Sequence, residues 1–99
     1  MALIEEHWIN GGLWRGLGHV CLTSTTFTFS VILMRWALEQ IPISAIRDVQ
    51  LQQHILRQEV TISYMASETT FKTLSFSTNQ LAQWKKAFER LGVHVTTQT

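Results

Sequence analysis

Cysteine occurs once in 99 residues, at Cys21, so no internal disulfide can staple this chain and its core must hold by packing alone. A reducing, cytoplasmic setting is the expectation that follows. Proline also occurs once, at Pro42, which excludes a proline-rich linker and marks one place where the backbone loses a donor. Aspartate occurs once, at Asp48, and the six glutamates are scattered, so no local carboxylate pair offers acid–base chemistry. Charge of either sign is scarce: eight Lys and Arg against seven acidic residues leave a net charge of +1. That is no electrostatic footprint for nucleic acid. The longest apolar run, VILM at 31–34, is far too short to span a bilayer. The opening MALIEEHW is acidic and has no long apolar run, so a secretory signal is not expected. There is no repeat, low-complexity run or linker, and a chain of this length is one domain.

What is present begins with one clear helix. In residues 77–92, STNQLAQWKKAFERLG, Leu81, Trp84, Phe88 and Leu91 make a single apolar stripe at the helical period. Ser77 and Gln80 have the spacing of a capping box, and Phe76 and Leu81 that of a hydrophobic staple. Gly92 stands where a left-handed C-terminal cap is wanted. Lys85, Lys86 and Arg90 lie in the second half, where cations suit the helix dipole. A helix with one apolar stripe must cover an apolar opening supplied by the rest of the chain.

The rest alternates like β-structure. We read strands over about residues 5–76: one from about Glu5 to Leu13 with a bulge or a close backbone approach at Gly11-Gly12, a turn at Leu17-Gly18, and a short strand at 19–23. Residues 26–31 alternate cleanly, with Phe27, Phe29 and Val31 on one face and Thr26, Thr28 and Ser30 on the other. A strand at 36–41 is interrupted by Pro42, and Val49 and Leu51 open another. Residues 52–59 read as a long connection. Val60, Ile62 and Tyr64 make a further half-buried strand, and residues 70–76 lead into the helix. Residues 93–99 are expected to fray. About seven short antiparallel strands and one closing helix predict a mainly β (α+β) fold, a small barrel plugged by the helix.

Three stretches carry a resemblance. GLGHVCLTSTTFTF (16–29), IPISAIRDVQL (41–51) and TLSFSTNQLAQWKKAFERLG (73–92) resemble segments of the pleckstrin-homology-like superfold in its GRAM or bacterial variety, with Trp84 matching the tryptophan of the closing helix. The resemblance implies a PH-like barrel of about seven strands capped by one helix. It also implies a non-enzymatic adaptor without a cofactor, since such domains bind phosphoinositide headgroups, peptides or protein partners, and some self-assemble. The first hairpin loop, residues 13–19, departs from phosphoinositide-binding members: it carries Arg15 and His19 where those members carry several Lys and Arg.

Candidate sites divide by partner. Residues 31–38, VILMRWAL, either run on as core strands or turn at a hairpin tip. A tip would present Leu33, Met34, Arg35 and Trp36 to a protein partner or membrane interface. Lys85, Lys86 and Arg90, with Lys72 and Arg15, would make an anionic-lipid surface, or a solvated helix face diluted by Glu89. Four tryptophans exceed what so small a barrel hides, so one or two are expected at a contact surface, which would also suit a homo-oligomer. None of the four histidines pairs at i, i+4, and no cysteine or carboxylate stands at ligand spacing, so no local pattern marks a metal site. Cys21, between Val20 and Leu22, reads as a structural thiol. The expected function is recruitment of a protein partner, with a peripheral membrane site and homo-oligomerisation as alternatives.

Overall fold

The computed structural model describes residues 2–11, 14–31, 37–55 and 57–98. Four strands pair with their chain neighbours as an antiparallel meander: β1 (Ala2–Gly11), β2 (Trp14–Thr23), β3 (Thr26–Val31) and β4 (Ala37–Pro42). The alternation of β3 does what its sequence demands. Phe27, Phe29 and Val31 are buried, and the intervening Thr and Ser face outward, partly exposed. The turn between β2 and β3 is built by Thr23, whose Oγ1 accepts the backbone N–H groups of Thr25 and Thr26 at 3.3 and 3.1 Å. Pro42 closes β4, which lies at the sheet edge and so tolerates a residue without an N–H. A 3₁₀ turn, Ile43–Ala45, then takes the chain around the corner into the second sheet.

That sheet holds β5 (Ile46–Gln53), β6 (Gln58–Met65) and β7 (Phe71–Ser77), with α1 (Leu81–Arg90) following β7. The connection expected over 52–59 is shorter, residues 54–57, because Gln53 pairs with Gln58 and Gln52 with Glu59. The fraying expected over 93–99 is not found in the described part of that tail. Val95–Gln98 form β8, which lies parallel to β5 and gives the order β7-β6-β5-β8. A β-branched tail beside an otherwise open edge gains a ladder of backbone bonds, and that outweighs its polarity.

The helix corrects a second expectation. It starts at Leu81, not Ser77, which ends β7. The Ser77–Gln80 capping box does not form. Thr78, buried at 5% exposure, instead makes a local turn just ahead of the helix, its Oγ1 accepting the Gln80 N–H at 2.9 Å, and the N-cap residue Gln80 makes no side-chain cap bond. The C-terminus follows the expectation: Gly92 has φ +77°, Gly92 N–H donates to Glu89 O and Val93 N–H to Phe88 O, at 3.0 and 3.1 Å. Those two bonds are a Schellman cap, and glycine is the residue that adopts its left-handed turn without strain.

The core lies between the sheets and under α1. Trp84 and Phe88 are wholly buried against Phe27 and Phe76, with Trp84 edge-on to Phe76 at 4.9 Å between ring centres. Such pairs add about 1 kcal/mol each beyond the area they bury. Across the core Tyr64 of β6 is 4% exposed, and burial together with the Glu39 carboxylate of β4 favours its neutral hydroxyl. Among the described residues there are eight strands and one α-helix, mainly β as expected, but the sheets do not close on one another by hydrogen bonds into a barrel. β1 and β7 are the outer strands of their sheets and pack side by side with a seam between them. Among the described residues no helix is long and apolar enough to cross a membrane.

Candidate functional site

Strand β1 sets the site through an irregularity. Ile4 and Glu6 oppose Leu22 and Val20 and point inward, so plain alternation would turn residue 8 inward next. Instead the register shifts between His7 and Ile9, and Trp8 is the extra residue. It has φ +58°, a left-handed conformation that a bulky side chain rarely adopts. The bulge resets the pattern: Ile9 is buried and the Trp8 ring stands 63% exposed. Gly18 of β2 permits the close approach, because a Cβ there would lie 3.0 Å from Ile9 O and 3.2 Å from the Phe29 ring. The sequence expectation placed the bulge at Gly11-Gly12 and a turn at Leu17-Gly18. The structure has the main bulge at Trp8, a further register shift between Ile9 and Gly11, and β2 running unbroken through 17–18.

The bulge forms one wall of a cleft of about 610 Å³ in the β1–β7 seam. Residues 6–10 of β1 face residues 75–79 at the end of β7, and residues 57–59 at the start of β6 close one side. The lining is polar, with Asn10, Gln58, Ser75, Ser77 and Asn79, beside the Trp8 ring. Glu6 anchors the floor. Its carboxylate accepts the Trp84 indole N–H at 2.5 Å and the Thr78 hydroxyl. One side chain thus joins β1, the β7–α1 connection and the helix. Arg57 and Glu59 pair at 3.8 Å on the rim.

A second constellation lies on the outer face of the first sheet. His7 and His19 oppose each other across β1 and β2, their rings stacked with centres 4.4 Å apart. Glu5, two residues before His7, meets His19 Nε2 at 3.0 Å. The donor atoms of Glu5, His7 and His19 all lie within 4.8 Å of one another. His19 Nδ1 contacts Ser30 Oγ of β3 at 3.3 Å. Cys21 stands opposite Glu5 in the pairing of β1 with β2. Burial, and then the Glu5 charge, push the Cys21 thiol up from its usual range, which fits an unreactive thiol.

The residues singled out from sequence fall as follows. Leu33, Met34, Arg35 and Trp36 lie outside the described residues, as does the Arg15 side chain. Lys85, Lys86 and Arg90 are exposed on α1 and Lys72 is exposed on β7. Lys86 and Arg90 flank a hollow of about 250 Å³ with Leu3, Ile4 and Ala87. Lys85 and Lys72 do not line it. Of the four tryptophans, Trp84 is core and Trp8 is exposed, and the side chains of Trp14 and Trp36 lie outside the described residues. Sequence reasoning missed the His7–His19–Glu5 group, because residues 12 apart meet only through the hairpin. The legible trace was the i, i+2 spacing of Glu5 and His7, which puts both on one face of a strand. No protein-family model matches this chain, and no curated protein matches its sequence.

Proposed function

We propose that the chain is a non-catalytic binding module of pleckstrin-homology-like architecture that recruits a protein partner through an extended segment seated in the β1–β7 seam. One observation carries the reading: a polar cleft of about 610 Å³ lies between the outer strands of two sheets, beside a tryptophan that a strained bulge holds exposed. Outer strands carry backbone donors and acceptors without a ladder partner, which an extended peptide can use. The Trp8 ring supplies an anchor of the kind that dominates binding energy. Backbone strain concentrates where function requires it, and the left-handed Trp8 is such an outlier. The helix-capped pair of meandering sheets supports the PH-like assignment, with the seam in place of the closure expected from sequence. Glu6, the carboxylate in the floor, is committed to Trp84 and Thr78, which supports binding over acid–base work.

The test is selection of displayed peptides on the full chain, with Trp8→Ser as the counter-screen. The expected result is a peptide family bound by the wild type, weakened about tenfold or more by Trp8→Ser, whose addition shifts amide resonances of β1 and β7. No enrichment, or binding indifferent to Trp8, overturns the reading. A second reading, the homo-oligomer subunit, is favoured by Phe71, a large apolar side chain 64% exposed on the outer strand β7. It predicts a mass that rises with concentration in light scattering; a monomer throughout rules it out.

A further inference from the structure

We infer that Glu5, His7 and His19 form a binding site for a divalent transition-metal ion of the zinc class on the outer face of the first sheet. His7 also lines the seam cleft, but the three donors meet one another across β1 and β2 without any segment seated in that cleft. Three observations converge. The first is composition: two imidazoles and one carboxylate are the donor set of three-ligand zinc sites that keep a fourth position open. The Glu5 carboxylate is a hard anionic donor beside the two imidazoles, a combination suited to a dication.

The second is geometry. The three donor atoms already lie within 4.8 Å of one another, and His19 Nε2 is 3.0 Å from the Glu5 carboxylate. A tetrahedral ion with bonds of about 2.1 Å needs its donors roughly 3.4 Å apart. Glu5 and His7 are exposed and His19 is half-buried, so Glu5 and His7 can close onto an ion by side-chain rotation while the strands stay in register.

The third is support behind the ligands. A metal-bound histidine ordinarily uses its second nitrogen to bond a neighbour that fixes the ring. Ser30 Oγ is 3.3 Å from His19 Nδ1 and meets that need. The proton accounting closes. Facing a carboxylate, Nε2 carries the hydrogen and Nδ1 accepts from the Ser30 hydroxyl. When the ion takes the place of the Nε2 proton, the hydrogen sits on Nδ1 and the serine oxygen, which can also accept, receives it.

The experiment is a titration of the untagged full chain with Co²⁺, followed by its visible absorption, and then displacement by Zn²⁺. One equivalent is expected to bind per chain and to be displaced by zinc. His7→Ala, His19→Ala and Glu5→Gln are each expected to weaken affinity about tenfold or more. His54→Ala and His94→Ala, which alter histidines outside the group, are expected to leave it unchanged. On the unmodified protein, Co²⁺ is expected to displace the imidazole resonances of His7 and His19 ahead of those of His54 and His94. This last reading holds even if a variant fails to fold. Absence of saturable binding, or binding that survives both His7→Ala and His19→Ala, overturns the site.

Discussion

Glu6 shows how much one side chain can hold. Its carboxylate accepts from Trp84 and Thr78, residues more than 70 positions away, and both donors belong to buried residues. Removing the acceptor leaves an indole N–H and a hydroxyl without partners inside the protein, a larger loss than the bonds alone. Glu6→Ala is therefore expected to cost about 1–3 kcal/mol in urea denaturation, and Glu6→Gln less, because an amide oxygen still accepts. A cost below about 0.5 kcal/mol would show that water replaces the carboxylate. Tyr64 makes a different claim. Burial pushes its hydroxyl up to about 12, and the Glu39 charge and hydrogen bond add to the rise. A pKa higher in the folded chain than in the unfolded one, about 10, favours the neutral form. The contribution is then whole below pH 10 and is lost as pH climbs through 12. Thermal melts should show stability falling across that window, and Tyr64→Phe should flatten the fall. Little of this was legible beforehand: Glu6 sits beside Glu5 in an acidic opening, and only the fold turns one inward and the other out.

At the scale of elements, periodicity spoke clearly where one face was dry. Phe27, Phe29 and Val31 in β3, Val60, Ile62 and Tyr64 in β6, and Leu81, Trp84 and Phe88 in α1 are buried as their spacing required, while Leu91, just past the helix, is partly buried. Periodicity was silent where an element's partner is remote. Residues 95–98 read as a polar tail because nothing local says that β5 has an open edge for them. The helix start was misplaced for a related reason: Ser77 has capping chemistry, but pairing with Glu59 of β6 holds it in the strand. β8 gives this scale its prediction. Val95 opposes Val49 and the ladder runs to Gln98 opposite Gln52. Deleting residues 95–99 removes those backbone bonds, each worth about 1 kcal/mol net, and bares the β5 edge. The shortened chain should unfold about 2 kcal/mol more readily, with amide exchange accelerated first in β5. Unchanged exchange in β5 would show that β8 rests on the sheet without supporting it.

The whole molecule decides questions that no segment can. A closed barrel follows from counting strands, and an open seam follows from how the strands are shared, four to each sheet, with β8 spent on the far edge of β5 rather than on closing the gap beside β7. The basic residues are decided in the same way. A sequence view groups Lys85, Lys86, Arg90, Lys72 and Arg15 as one lipid surface. Among the described residues, the fold places only Lys86 and Arg90 of this set around a shared hollow, over Leu3 and Ile4. Each basic residue near an anionic membrane contributes about 1 kcal/mol, so two of them, on a chain of net charge +1, give weak and salt-sensitive attachment. Flotation with anionic vesicles is therefore expected at low salt and should disappear near physiological salt, while neutral vesicles recover none of the protein. The double change Lys86→Glu and Arg90→Glu should abolish the low-salt binding without altering the fold, since both side chains are exposed. Attachment that persists at physiological salt would mean that apolar insertion adds to the charges. It would make the membrane, rather than a peptide in the seam, the principal partner of this domain.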